Sequence, residues 1–126
     1  MNIVKLLHPA ISIILIVLST SSFSDTYNTA MKAKIQGEWL SPKWNYGFRI
    51  EGMSGYVTQW NYKYNPNDKT VEGDKVLTID KITATGFLAK QQFFNGSLVS
   101  IVGTLVDANT IKLEAGPEVW LMVRPK

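Results

Sequence analysis

The chain reads as an all-β protein: a small antiparallel up-and-down barrel of about seven to eight strands, with a short N-terminal helix after a signal peptide. Two observations predict it. From Gly37 onward, apolar and polar residues alternate with period two, as expected for strands with one buried face. The alternating runs are joined by short clusters of Gly, Pro, Asn and Asp rather than by helical stretches. Tight sequential turns imply a meander, because parallel pairing needs crossovers of about a dozen residues or more. A sheet with one apolar face tends to curl and close, which removes its exposed edges. A two-sheet sandwich is the alternative.

Residues 1–24 read as the signal peptide. Lys5 supplies a positive charge, and Ala10 to Leu18 is an apolar run broken only by Ser12. Ser22 and Ser24 then stand where small residues precede a cleavage site. The run is shorter than the ~18–20 residues that span a bilayer, so a retained anchor is the weaker reading. No Cys follows it, which excludes lipobox attachment. A single domain over residues 25–126 is expected in the periplasm or outside the cell, bacterial in style, with no stable membrane anchor after cleavage.

Asp25-Thr26 can cap a short helix whose Tyr27, Met31 and Ile35 share one face. Gly37 to Leu40 is a first strand, closed by Ser41-Pro42. In the second, Tyr46, Phe48 and Ile50 face one way and Arg49 and Glu51 the other. Gly52 to Gly55 reads as a turn. Tyr56, Thr58, Trp60 and Tyr62 then share a face opposite Val57, Gln59 and Asn61. Asn65 to Asp68 and Glu72 to Asp74 mark a surface loop. Val76 to Ile82 is extended, and Phe87, Ala89, Gln91 and Phe93 alternate with Leu88, Lys90, Gln92 and Phe94. Asn95-Gly96 signals a two-residue type I′ hairpin into Leu98 to Val106. Thr110 to Ala115 and Val119 to Arg124 complete the sheet, with Gly116-Pro117 between them.

Composition excludes several chemistries. The sequence has no Cys, and its one His, His8, lies in the leader. Ser-His and Cys-His catalysis and zinc sites built on His or Cys are therefore ruled out of the mature domain. Without the leader's Lys5 the 13 basic residues become 12, against 10 acidic ones, and the two signs are interspersed. Nucleic-acid binding has no support in such a pattern. No metal and no cofactor is expected.

The helix followed by Gly37-Glu38-Trp39 resembles the Gly-x-Trp that opens the barrel of lipocalins and their calycin relatives. The resemblance implies a calycin-like barrel in which Trp39 closes one end. It also implies that Arg124, late in the last strand, packs across the Trp39 ring, a cation–π contact of ~0.5–2 kcal/mol. The chain departs from that family in being short, in lacking a Thr-Asp-Tyr motif and in having no disulfide. A barrel of this size can be filled by its own side chains and hold no ligand cavity.

Trp44, Tyr46, Phe48, Tyr56, Trp60, Tyr62 and Tyr64 form the densest aromatic region. Strand alternation assigns Tyr46, Phe48, Tyr56 and Trp60 to the core. Trp44, Tyr62 and Tyr64, near turns, are the candidates for ligand or partner binding. Phe93 and Phe94 cannot both face one core, so Phe94 joins them as a contact point beside the hairpin, unless the second sheet face is covered. Arg49 and Glu51 read as a solvated ion pair. Asn67, Asp68, Glu72 and Asp74 concentrate oxygen atoms but lack EF-hand spacing. Nothing brings together two of Glu51, Glu114 and Glu118, as glycoside hydrolysis would need, and no motif supports a dyad of Ser54 or Ser100 with a Lys.

Two functions suit this chain. One is an exported non-enzymatic binding protein of the bacterial envelope, lipocalin-like in architecture, holding a small apolar ligand or a protein partner. The other is a secreted or periplasmic protein inhibitor or immunity-type factor acting by protein–protein contact. The first needs a cavity lined by apolar side chains, and one of roughly 300 Å³ or more opening to solvent would favour it. The second needs an exposed loop backed by a solid core.

Overall fold

The computed structural model describes residues 28–61, 68–93 and 96–126. The leader, Tyr62, Tyr64 and Phe94 lie outside the described residues.

A helix, α1 (residues 28–35), leads into eight strands. They are β1 (Gly37–Ser41), β2 (Tyr46–Glu51), β3 (Ser54–Gln59), β4 (Lys75–Ile82), β5 (Gly86–Gln92), β6 (Leu98–Asp107), β7 (Thr110–Ala115) and β8 (Glu118–Val123). Each pairs antiparallel with the next, and Leu40 of β1 meets Val123 of β8 to close the barrel. The architecture is a closed up-and-down barrel consistent with the calycin type, and the sandwich is set aside.

The period-two pattern explains the core. Phe48 stands opposite Trp39 on one side and Val57 on the other, and all three are buried. Phe87, Ala89 and Gln91 point inward from β5, Ile111 and Leu113 from β7, and Trp120 and Met122 from β8. Large residues fit because small ones face them. A Cβ on Gly103 would fall within the ring of Phe87, its partner across β5 and β6. The middle of the barrel is thereby filled by its own side chains.

Three details differ from the sequence reading. Tyr56 is half-buried rather than core, because the register puts Val57 opposite Phe48 and turns Tyr56 outward against Arg49. Trp60 does enter the core, since β3 ends at Gln59 and the strand alternation ends with it. Ser54 and Gly55 belong to β3, leaving Gly52-Met53 as the turn. At the β5–β6 hairpin, Gly96 N–H donates to the Phe93 carbonyl at 2.8 Å and Gly96 has φ of 82°. Phe93 N–H donates to the Ser97 carbonyl at 2.8 Å, whereas a two-residue turn centred on Asn95-Gly96 would set Ser97 opposite residue 94; Asn95 itself lies outside the described residues.

Alternating strand direction sorts the connections between two ends. At one end lie α1 and the β2–β3, β4–β5 and β6–β7 turns. Here Trp39 is fully buried and its Nε1 donates to the Ile35 carbonyl at 2.8 Å. The Arg124 guanidinium lies 3.8 Å from the centre of the Trp39 ring. It also donates to the carbonyls of Gln36 at 2.6 Å and Lys34 at 2.9 Å, satisfying acceptors that the end of α1 leaves free. Gly37, at φ of 96°, is needed because a Cβ there would stand 3.0 Å from Arg124 Nη1. Gln36 clips this end to the β2–β3 turn by exchanging two hydrogen bonds with Gly52, at 2.7 and 3.0 Å. This end is closed.

Candidate functional site

The β1–β2, β3–β4, β5–β6 and β7–β8 connections converge on the other end, and a cavity of about 230 Å³ opens there. Each connection or strand end contributes an aromatic ring. Trp44 comes from β1–β2, Tyr46 from the start of β2, Trp60 from the exit of β3, Phe93 from the exit of β5 and Trp120 from β8. The rings meet edge to face: Tyr46 and Trp60 at 5.7 Å and 75°, Phe93 and Trp120 at 5.7 Å and 75°. Such T-shaped pairs are the favoured geometry for aromatic quadrupoles.

Gln91, Gln92 and Glu118 complete the wall. Gln91 is almost fully buried. Its Nε2 donates to the Tyr46 hydroxyl at 2.9 Å, and Trp120 Nε1 donates to the same oxygen at 3.1 Å. The Oε1 of Gln91, also buried, has no hydrogen-bond partner among the described residues. Burial pushes the Tyr46 phenol above its ordinary pKa, against the two hydrogen bonds it accepts, so it stays protonated at neutral pH.

Two carboxylates stand near the rings. Asp68 accepts from Trp60 Nε1 at 2.7 Å and from the Thr70 hydroxyl and backbone N–H at 2.6 and 2.8 Å. Desolvation raises the pKa of Asp68, but these hydrogen bonds outweigh it and hold the group below its ordinary value. Glu118, half-exposed at the rim, sits 3.8 Å from Lys43 Nζ, which itself lies 5.0 Å from the centre of the Trp44 ring.

Of the residues singled out from sequence, the structure places Trp44 in the cavity wall. Gly37, Trp39 and Arg124 meet at the closed end. Arg49 bridges Glu38 and Glu51, each at 3.2 Å, on the exposed outer face. Glu114 pairs with Lys112, so Glu51, Glu114 and Glu118 do not converge. Asp74 Oδ2 closes a turn by accepting from Val71 N–H at 3.0 Å.

Sequence reasoning missed Gln91, Trp120 and Glu118 as parts of one site. It assigned Tyr46 and Trp60 to the core, where they are, without seeing that they also face a cavity. A signal for Gln91 was present: it follows Phe87 and Ala89 on the inward face of β5, and an amide on an apolar face calls for a partner. No such signal links β5 to β8, because residues 91 and 120 meet only through the closure of the barrel. Comparison with protein-family models, with curated proteins and with solved structures finds no match to this chain.

Proposed function

We propose that this is an exported, non-enzymatic binding protein, lipocalin-like in architecture, that holds a small ligand at the open end of its barrel. The observation that carries this reading is the cavity at the open end, walled by the rings of Trp44, Tyr46, Trp60, Phe93 and Trp120. The size limits the occupant. At about 230 Å³ the cavity falls below the roughly 300 Å³ of drug-sized pockets. It exceeds the ~150 Å³ that accommodates benzene, so one aromatic ring fits within it. Among the described residues the cavity wall offers one carboxylate amid aromatic rings and amides, a lining that suits binding. Outward ion pairs such as Lys90–Asp80 and Lys112–Glu114 suit a barrel standing in water.

The test is an ¹⁵N correlation spectrum of the tryptophan side chains during titration with one-ring compounds. Three of the four tryptophans line the cavity, and Trp39 at the closed end is an internal control. Shifts of the Trp44, Trp60 and Trp120 indole N–H signals with Trp39 unmoved support the reading. If none of the three moves with any probe at millimolar concentration, the cavity is not a ligand site. Export is tested separately, by sequencing the N-terminus of protein recovered outside the cytoplasm, which should begin close to Asp25.

The inhibitor-type alternative has one observation in its favour. Leu88 and Val102 stand side by side on the outer face of β5 and β6, and Leu98 at the start of β6 is also exposed. Backbone signals of these strands, rather than the indoles, would respond to a protein partner.

A further inference from the structure

We propose that the ligand of the open-end cavity is a small organic cation, a protonated amine on a short apolar or aromatic body. This rests on the reading of the cavity as a ligand site and adds the chemical class of its occupant.

Charge is the first observation. Among the described residues, Glu118 is the only ionised side chain in the cavity wall, and no Lys or Arg lines it. The aromatic rings add to the same sign. The face of an indole, phenol or benzene ring carries negative potential, and Trp is the strongest of the three toward a cation. The Trp60 N–H donates to the Asp68 carboxylate, which leaves the indole more electron-rich. Asp68 is held ionised by its hydrogen bonds, so this polarisation persists at neutral pH.

A carboxylate ligand would meet the aromatic rings and Glu118, both repelling it, and a neutral alcohol would gain nothing from Glu118.

The rim already holds an ammonium. Lys43 Nζ lies 5.0 Å from the centre of the Trp44 ring and 3.8 Å from Glu118, in the relation proposed for the ligand. Both side chains of that pair are more than half exposed, so it contributes little and is readily exchanged for another cation. Lys43 is therefore a competitor for the rim.

The experiment compares benzylammonium, benzyl alcohol and phenylacetate, three one-ring probes of similar size, by tryptophan indole shifts at pH 7. Benzylammonium should bind about tenfold tighter than benzyl alcohol, with phenylacetate weakest. Glu118→Gln should weaken benzylammonium several-fold and leave benzyl alcohol unchanged, and Lys43→Gln should tighten benzylammonium. Both positions are exposed, so neither variant threatens the fold. Benzyl alcohol or phenylacetate binding as tightly as benzylammonium overturns the cationic class while keeping the cavity as a ligand site. A Glu118→Gln variant that weakens all three probes equally overturns it too. Silence of Trp44, Trp60 and Trp120 toward every probe overturns both readings.

Discussion

Gln91 donates a hydrogen bond from Nε2 to the hydroxyl of Tyr46 at 2.9 Å, joining β5 to β2 through the barrel interior. The two residues are 45 positions apart in sequence and on strands that do not pair. Trp120 adds a third strand to the same oxygen. This polar junction sets the depth of the cavity, since the side chains below it fill the barrel.

Tyr46→Phe should destabilise the protein by about 1–3 kcal/mol, because it strips the acceptor from two buried donors while keeping the ring. Urea denaturation followed by far-UV circular dichroism measures it. The alkaline limb supplies a second readout. Burial raises the phenol's native pKa above the ordinary 10.0. The contribution of the neutral phenol is therefore complete below pH 10 and is lost as pH rises from there through the native value. Tyr46→Phe should remove that part of the loss, and an unchanged alkaline slope would contradict the assignment.

Arg124→Ala should cost about 2 kcal/mol or more, since it removes the guanidinium from the Trp39 ring and leaves the Lys34 and Gln36 carbonyls without a donor. For a domain of this size that corresponds to a fall in melting temperature of roughly 10 °C. Arg124→Lys should recover less than half, because one ammonium cannot both stack on an indole and reach two carbonyls. Full recovery by Lys would mean that charge alone matters at the closed end.

Asp68 predicts an acid response at the open end. Its native pKa is lowered, so its hydrogen bonds contribute fully above the ordinary 3.8 and are lost as pH falls through the lower native value. Trp60 fluorescence should change over that acidic window as its N–H loses a carboxylate partner. In Asp68→Asn the same window should be flat, and a transition that persists there belongs to another group.

How much of this was legible varies by residue. The inward positions Tyr46, Phe48 and Ile50 followed from alternation, because a pleated strand presents every second side chain to one face. Tyr56 did not, since alternation leaves open which set faces inward, and the register against Phe48 decided for Val57. Trp60 was assigned to the core and lies there, although its position just beyond the end of β3, and not the strand's alternation, puts it inside. The hairpin at Gly96 was located correctly, while its hydrogen-bonding pattern was not, since Gly satisfies the positive φ of several loop types.

By itself the sequence determined an all-β chain of short strands joined in order, because period and turn chemistry are local properties read a few residues at a time. The tertiary structure decided that the sheet closes as a barrel of eight strands and how Gln91, Tyr46 and Trp120 share one hydroxyl. It also decided that Trp44, Trp60, Phe93 and Glu118 border one cavity. These residues come from four connections that closure gathers at one end. A cavity is a property of the space left between them, and no local pattern along the chain records that space.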